Sequence, residues 1–168
     1  MIIDLMDEDR LLPEGAAELI ERAAEAALWV EGVSGLCAGM SIVDGKTIKS
    51  LNARTRGVDS ETDVLSFPLI NYPNGKTAKD EPALVRRRYD PEYGAPYIGD
   101  IVLNISRAQQ QAQEYGHSTA RETAYLTCHA MLRLMGYDHM TDGDKQKMRA
   151  MEKRAMRQLG LFRNGEDA

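Results

Sequence analysis

The sequence predicts a single α+β domain, residues 1–168, in which a small mixed four-stranded sheet is flanked by about five helices. Three observations lead to this fold class. Short segments rich in Ile, Val and Leu, which is typical of strands, occur in the first two thirds of the chain. Most segments with apolar residues at a 3.6-residue period cluster in the last third. The length suits one domain with its own core.

Strands and helices alternate in the first part of the chain. The first three predicted strands are Met1–Met6, Leu36–Asp44 and Thr62–Phe67. Pro13 opens a helix with an apolar side at 3.6-residue spacing, and Gly32 ends it. A short helix is predicted from Gly45 to Asn52, between the second and third strands.

Residues 69–97 form an excursion that is rich in proline, tyrosine and arginine. Such a density of proline excludes a long regular element. Arg86, Arg87 and Arg88 give the excursion a run of positive charge. It is either a solvated loop or a basic, aromatic flap that contacts a polyanion.

The last third is predicted to be one strand followed by helices. The strand is Ile98–Ile105, and the first helix, Ser106–Tyr115, ends at Gly116. A capping box, Thr119-x-x-Glu122, starts the next helix, which ends at Gly136. The final helix runs from about Asp142 to Leu159, and one side of it is basic. The basic side is made by Lys145, Arg149, Lys153 and Arg157.

Composition and charge exclude several classes of protein. Apolar residues make up 43% of the chain, charged residues 28%, and the net charge is −5, which opposes a generally polybasic nucleic-acid binder but allows local patches. No apolar run approaches the length of a membrane span, and the N-terminus lacks the features of a signal peptide. Cys37 and Cys128 form no C-x-x-C motif. We therefore expect a cytoplasmic protein without a membrane partner.

Two of the three histidines bracket a segment with the spacing of a metal site. Residues four apart share a helix face, so a ligand at His129 would pair with position 133. Gly136 can then break the helix and bring His139 back towards that pair. Such a set resembles catalytic zinc sites, which have three protein ligands and an open fourth position. From the residues alone, His129 and His139 could equally be structural histidines.

The segment from His129 to His139 resembles the motif H-G-x-L-H-L-x-G-Y-D-H of the YbeY-type bacterial ribosomal-RNA maturation endoribonucleases. The similarity extends from about Asn52 to Glu152. Its other matches are Asn52-x-x-x-Arg56, Thr62-Asp63-Val64-Leu65-Ser66-Phe67-Pro68, Gly99-Asp100-Ile101-Val102, Glu114-Tyr115-Gly116-His117-Ser118 and Met148-x-x-x-Glu152.

This resemblance implies a metal-binding hydrolase that carries one zinc ion per chain, held by three histidines. The family cleaves single-stranded RNA, acts in 16S rRNA 3′-end maturation and ribosome quality control, and associates with the small ribosomal subunit. The first and third zinc ligands map onto His129 and His139, and the functional arginine of the family maps onto Arg56.

The second ligand position holds Arg133, and the glycine of the motif is Ala130. A guanidinium offers no lone pair to a metal, and its charge repels a divalent ion. Three interpretations are open. Asp138 substitutes as a ligand, Arg133 itself binds a phosphate bidentately, or the centre is disabled. Cys128 is a poorer substitute, since one residue along a helix rotates about 100° away.

Two functions follow as hypotheses. The first is a zinc-dependent endoribonuclease, in which the metal activates water or polarises a phosphoryl oxygen and Arg56 stabilises the developing charge. The expected RNA-binding residues are Arg86, Arg87, Arg88, Lys145, Arg149 and Lys153. The alternative is a catalytically impaired RNA- or ribosome-binding assembly factor on the same fold. A zinc peptidase is excluded, because H-E-x-x-H is absent, and His117 is expected to cap a helix or support the site.

Overall fold

A computed structural model describes residues 2–161, so Met1 of the first predicted strand and the end of the predicted domain lie outside it. The strands are β1 (Ile3–Met6), β2 (Cys37–Val43), β3 (Val64–Pro68), β4 (Tyr89–Asp90) and β5 (Ala95–Asn104). The helices are α1 (Ala16–Glu31), α2 (Gly45–Arg56), α3 (Pro82–Arg86), α4 (Ile105–Tyr115), α5 (Thr119–Leu134) and α6 (Asp142–Gln158). The α+β class is confirmed.

The sheet has the order β1-β2-β5-β3 and is mixed, as the sequence predicts. β1 pairs with β2 and β2 with β5 in parallel, whereas β3 runs antiparallel to β5. β4 is a two-residue addition that pairs with β5. It lies, like the five-residue helix α3, in the excursion at 69–97. Apart from its last three residues, which begin β5, the proline-rich segment therefore holds only short elements, which the sequence did not predict individually.

The start of α5 corrects one sequence prediction. Ser118, not Thr119, is the N-cap, because its extended backbone places its hydroxyl to accept a hydrogen bond from the Arg121 N–H at 3.0 Å. Thr119 is already helical, so the capping box predicted from Thr119 to Glu122 is wrong. Serine and threonine are both good N-cap residues and are adjacent here, which explains the one-residue error.

α5 is the central helix of the domain. It packs against α1, α4 and α6 and against strands β3 and β5. Its last turns are fully buried at Ala130, Met131, Leu132 and Leu134. His129 and Arg133 occupy the remaining partly exposed side. A helix held on so many sides gives the side chains on that face fixed positions.

None of the helices within residues 2–161 has both the length and the apolar character needed to cross a membrane.

Candidate active site on the central helix

His129 lies in the third turn of α5 and is oriented by a carboxylate from α6. Its Nδ1 is 2.8 Å from Oε1 of Glu152. A carboxylate only accepts hydrogen bonds, so Nδ1 carries the proton and the lone pair of Nε2 is left for another partner. Tyr125 donates its hydroxyl to Glu152 Oε2 at 2.7 Å and stacks its ring on His129 at 6.3 Å. The imidazole is therefore fixed in tautomer and in orientation.

The sequence assigned no role to Glu152, although one signal was present. Glu152 lies on the apolar stripe of α6, one turn after Met148 and just before Ala155, and all three are buried. A glutamate in such a position is almost never buried without a partner. Its partners, Tyr125 and His129, are on another helix, so only the tertiary structure identifies them.

A sharp turn after α5 brings His139 back towards His129. Gly136 adopts a positive φ of 103°, and a Cβ there would lie 2.8 Å from the Tyr72 ring and 2.9 Å from the carbonyl oxygen of Lys76. The ring centroids of His129 and His139 are 6.1 Å apart. The turn that the sequence predicted at Gly136 is therefore present, and glycine alone fits it without strain.

A buried carboxylate of α1 holds this turn in place. Glu31 is 1% exposed and accepts hydrogen bonds from the Tyr137 hydroxyl at 2.6 Å and from the Lys79 N–H at 3.1 Å. It thereby ties the segment after α5 to the excursion. Burial, followed by the hydrogen bond to Glu31, raises the pKa of Tyr137, so its hydroxyl remains a donor.

Arg133 lies between His129 and His139 in the sequence, and its side chain is hydrogen-bonded to the turn that carries His139. Its Nη1 donates to the Tyr137 carbonyl at 2.9 Å and to Asp138 Oδ1 at 3.0 Å. Asp138 Oδ1 also accepts the N–H of His139 at 2.7 Å. Arg133 and Asp138 therefore form an ion pair that closes the turn. That Asp138 substitutes as a metal ligand stays a prediction, and this ion pair does not favour it.

The residues present do not fit a three-ligand zinc site. Within the described range 2–161, no group of three His, Cys, Asp or Glu side chains is arranged to hold a metal ion. His129 and His139 supply two nitrogens, whereas the second ligand position of the family holds Arg133, a cation that is paired with Asp138. Zinc sites of the catalytic type need three protein ligands.

Cys128 is excluded as both ligand and nucleophile. Its thiol is buried and donates to the carbonyl oxygen of Ala23 on α1 at 3.4 Å. Burial raises the pKa of this thiol to about 12. The side chain points into the core, away from His129, as the helical rotation predicted.

The charge of Arg133 also acts on His139. Partial burial is the main cause that lowers the pKa of this imidazole, and the positive charges of Arg133 and Lys145 add to it. We therefore expect Arg133→Gln to raise the pKa of His139, because it removes one of those charges. An NMR titration of the His139 ring protons measures the change. Lys147→Gln is the control, and an unmoved His139 pKa in Arg133→Gln would contradict the electrostatic contact.

Arg56, the predicted catalytic arginine, is exposed at the last residue of α2. Its Nη2 donates to the carbonyl oxygen of Ser66 on β3 at 3.1 Å, and β3 packs against α5. The guanidinium is thus anchored to the strand beside the central helix. No direct contact joins Arg56 to His129 or His139 among the described interactions.

The predicted RNA-binding residues lie on two different elements. Arg86 ends α3, Arg87 and Arg88 follow it, and all three are exposed. Lys145, Arg149 and Lys153 are exposed on α6. The charge of Lys145 contributes to the lowered pKa of His139, so this end of α6 faces the histidine pair. These positions suit electrostatic contact with a polyanion, and that role stays a prediction.

His117, the remaining histidine, follows the glycine that ends α4. Its backbone N–H donates to the Ala112 carbonyl at 2.8 Å, which completes the C-terminal cap of α4. Its side chain lines a separate cavity with Arg121 and Tyr125. Capping, which the sequence analysis expected of this residue, is therefore performed by its main chain.

Comparisons with known proteins agree with this architecture. The family model described as "Endoribonuclease YbeY" matches residues 3–160. The chain is 41% identical to endoribonuclease YbeY of Clostridium acetobutylicum, over 96% of this chain and 98% of that relative. It is 40% identical to endoribonuclease YbeY of Desulforamulus reducens, over 97% of this chain and 99% of that relative.

A solved structure shows the same fold. It is the solution structure of TM1509 from Thermotoga maritima, with a TM-score of 0.57 and 20% identity, and the match covers 99% of this chain and 97% of that chain. The resemblance found in the motifs between Asn52 and Glu152 is therefore confirmed over nearly the whole length. The chain belongs to the endoribonuclease YbeY family.

Proposed function

We propose that this protein acts on the 3′ end of 16S ribosomal RNA during maturation and quality control of the small ribosomal subunit, and that Arg133 keeps its hydrolytic activity low. It binds RNA in single-stranded form, in the cytoplasm. The observation that carries the proposal is the Arg133–Asp138 ion pair at a ligand position in a chain that belongs to an endoribonuclease family.

The ion pair makes metal binding unfavourable in two ways. The guanidinium places a positive charge at the second ligand position and close enough to act on His139, where a zinc ion would need an electron-pair donor. It also engages Asp138, the carboxylate nearest to His139, through a hydrogen bond of 3.0 Å. The residues thus do not fit the zinc ion that the family resemblance implies.

The remaining groups suit binding and orientation of a phosphodiester. Arg56 is held by Ser66 and supplies a donor fork that matches phosphate oxygens. His129 keeps a free Nε2 because Glu152 holds its Nδ1. These groups bind and position RNA without a metal, which favours an assembly factor that retains the RNA-facing surface of its relatives.

The fully active, zinc-dependent endoribonuclease is the second candidate, and the family match favours it. The relatives from Clostridium acetobutylicum and Desulforamulus reducens are named endoribonucleases. In this candidate the chain holds one zinc ion through His129, His139 and Asp138. It requires the Arg133–Asp138 ion pair to open.

A binding and cleavage assay separates the two candidates. The probes are a single-stranded RNA with the 16S 3′-end sequence and the same RNA annealed to its complement. We expect tighter binding of the single strand and slow cleavage that a chelator leaves unchanged. Equal binding of both forms would contradict the proposal. Rapid cleavage that a chelator abolishes would favour the zinc-dependent enzyme.

The arginine run of the excursion gives a separate prediction. We expect the triple variant Arg86→Gln, Arg87→Gln, Arg88→Gln to flatten the salt dependence of RNA affinity. Each phosphate contact on a single strand contributes about 0.7 to the slope of log K against log salt, so three lost contacts remove roughly 2. The control with the same change of charge is Arg22→Gln, Lys46→Gln, Lys49→Gln. An unchanged slope in the Arg86→Gln, Arg87→Gln, Arg88→Gln variant, or an equal reduction in the control, would contradict the assignment.

A further inference from the structure

The side chains of the histidine site are open to solvent. Those of His129 and Arg133 are 26% and 22% exposed, and His139 is exposed as well. The ring centroids of the two histidines are 6.1 Å apart, and Arg133 donates to the turn that carries His139. A phosphodiester that enters from solvent can therefore contact an imidazole and a guanidinium at the same time.

His129 is held in the form that acts as a base. Its Nδ1 donates to Glu152 at 2.8 Å, so the lone pair of Nε2 is left on another side of the ring. Glu152 is buried and accepts a second hydrogen bond from Tyr125, which fixes the carboxylate. A carboxylate in this position orients the imidazole and stabilises the positive charge that the ring acquires when Nε2 takes a proton.

Arg133 supplies a positive charge at the position where its relatives would place a metal ligand. Its Nη1 is engaged by the Tyr137 carbonyl and by Asp138, and these two contacts fix the guanidinium. Its Nη2 and Nε also carry N–H groups, and neither atom takes part in a hydrogen bond described within residues 2–161. A guanidinium presents such donors as a fork that matches phosphate oxygens. It can therefore stabilise charge that develops on a phosphate.

The donor set determines which nucleophile these groups can use. Hydrolases that attack with water commonly activate it on a metal, and no group of three His, Cys, Asp or Glu side chains in the described range 2–161 is arranged to hold one. RNA carries a nucleophile of its own, the 2′-hydroxyl beside each phosphate. Attack within one molecule gains from proximity and needs only a base and charge stabilisation. His129 and Arg133 provide these two functions.

We infer, building on the proposed function for the identity of the substrate, that this chain cleaves RNA by internal transesterification, with His129 as the base and Arg133 as the group that stabilises the phosphate. Nε2 of His129 takes the proton of a 2′-hydroxyl, and the 2′-oxygen forms a bond to the adjacent phosphorus. The bond from phosphorus to the 5′-oxygen of the next nucleotide breaks, and that oxygen takes a proton from water. His129 then returns its proton to the solvent.

The products of this reaction are a 2′,3′-cyclic phosphate and a 5′-hydroxyl, and no water is consumed. Arg133 thus has two opposite effects at one position. It prevents a metal from activating water, and it allows the substrate's own hydroxyl to react. The slow, chelator-resistant cleavage expected above would proceed by this route.

The test identifies the ends that the full chain produces from the single-stranded RNA with the 16S 3′-end sequence, with excess chelator present. Mass spectrometry distinguishes a cyclic phosphate from an open one, because the cyclic end is lighter by one water molecule. We expect cyclic phosphate and 5′-hydroxyl ends. The same RNA with a single 2′-deoxynucleotide on the 5′ side of the mapped cleavage position should not be cut there, because the nucleophile is missing.

Two variants test the assigned groups and also exclude a contaminating nuclease. His129→Gln should slow the formation of cyclic ends by at least about 100-fold, since general-base catalysis contributes roughly 10²–10⁴-fold. Arg133→Gln should slow it by about 100-fold, the usual loss for one preorganised charge-stabilising donor. Both side chains are partly exposed, so the core stays intact. Arg22→Gln on α1, purified in the same way, is the matched control and should cleave like the unchanged protein.

Four results would each overturn the inference: no cleavage by the unchanged protein in chelator, ends that carry a 3′-hydroxyl and a 5′-phosphate, cutting at the 2′-deoxynucleotide, or cyclic ends that His129→Gln forms at an unchanged rate. The deoxynucleotide probe alters only the substrate, so it remains decisive if a variant fails to fold. The preference for single-stranded RNA is measured by binding, without cleavage. A failure of the proposed function is therefore distinguishable from a failure of this mechanism.

Discussion

Replacing Arg133 with histidine is expected to raise the zinc content of the protein from far below one ion to about one per chain and to accelerate RNA cleavage by at least about 100-fold. The substitution adds an imidazole on the face of α5 that carries His129, one turn away, and removes the guanidinium whose charge acts on His139. Loss of a residue that only orients a metal ligand lowers metal affinity about 10–100-fold, so restoring a ligand itself should raise the affinity by more. Elemental mass spectrometry and a single-stranded RNA cleavage assay measure the two effects.

Arg133→Gln is the control for this experiment. It breaks the ion pair with Asp138 but supplies no imidazole, so zinc content should stay low. If Arg133→Gln gained as much zinc as Arg133→His, Asp138 would be the third ligand once it is released. If Arg133→His changed neither zinc content nor cleavage, the ligand set inferred from His129 and His139 would be wrong.

Gly136→Ala is expected to lower the free energy of unfolding by about 2–4 kcal/mol. Gly136 has a φ of 103°, and the added Cβ would lie 2.8 Å from the Tyr72 ring and 2.9 Å from a backbone oxygen. The backbone cannot yield easily there, because Glu31 holds the adjacent Tyr137 through a 2.6 Å hydrogen bond. For a chain of this length the loss corresponds to a fall in Tm of about 4–16 °C.

Gly143→Ala is the matched control, measured by the same thermal unfolding. Gly143 lies in the first turn of α6, and its nearest neighbour to an added Cβ is the Thr141 hydroxyl at 3.9 Å. Alanine is therefore expected to leave Tm unchanged or to raise it slightly. Equal destabilisation by both substitutions would show that the turn at Gly136 is not specially constrained.

The parts of the site that depend on local sequence were predictable. The four-residue spacing of His129 and position 133 on one helix follows from helix geometry, and Gly136 marks the turn that returns His139. The mixed sheet was predicted from the order of strands and helices, and the helices after β5 from apolar periodicity. Arg133 was recognised as incompatible with metal coordination from its chemistry alone.

The parts that depend on distant packing were not predictable. Glu152 orients His129 across 23 residues of sequence, and Glu31 holds Tyr137 across 106. Such pairs form only when α6 and α1 pack against α5, and no periodic pattern in the sequence predicts them. The Arg133–Asp138 ion pair is local, but it exists because the turn at Gly136 folds Asp138 back towards α5.

The burial of Arg121 is another feature that depends on the tertiary structure. In the sequence it looks like an ordinary charged residue in the first turns of a helix, where most arginines are exposed. In the folded protein it is only 8% exposed, and its Nε is buried without a hydrogen-bond partner.

The most direct measurement is the zinc stoichiometry of the unchanged protein, purified without a tag and without chelator, by elemental mass spectrometry. We predict zinc far below one ion per chain, because Arg133 occupies a ligand position and pairs with Asp138. About one tightly held zinc ion per chain would contradict this prediction. It would mean that the ion pair opens to admit the metal and that the protein is a zinc-dependent endoribonuclease.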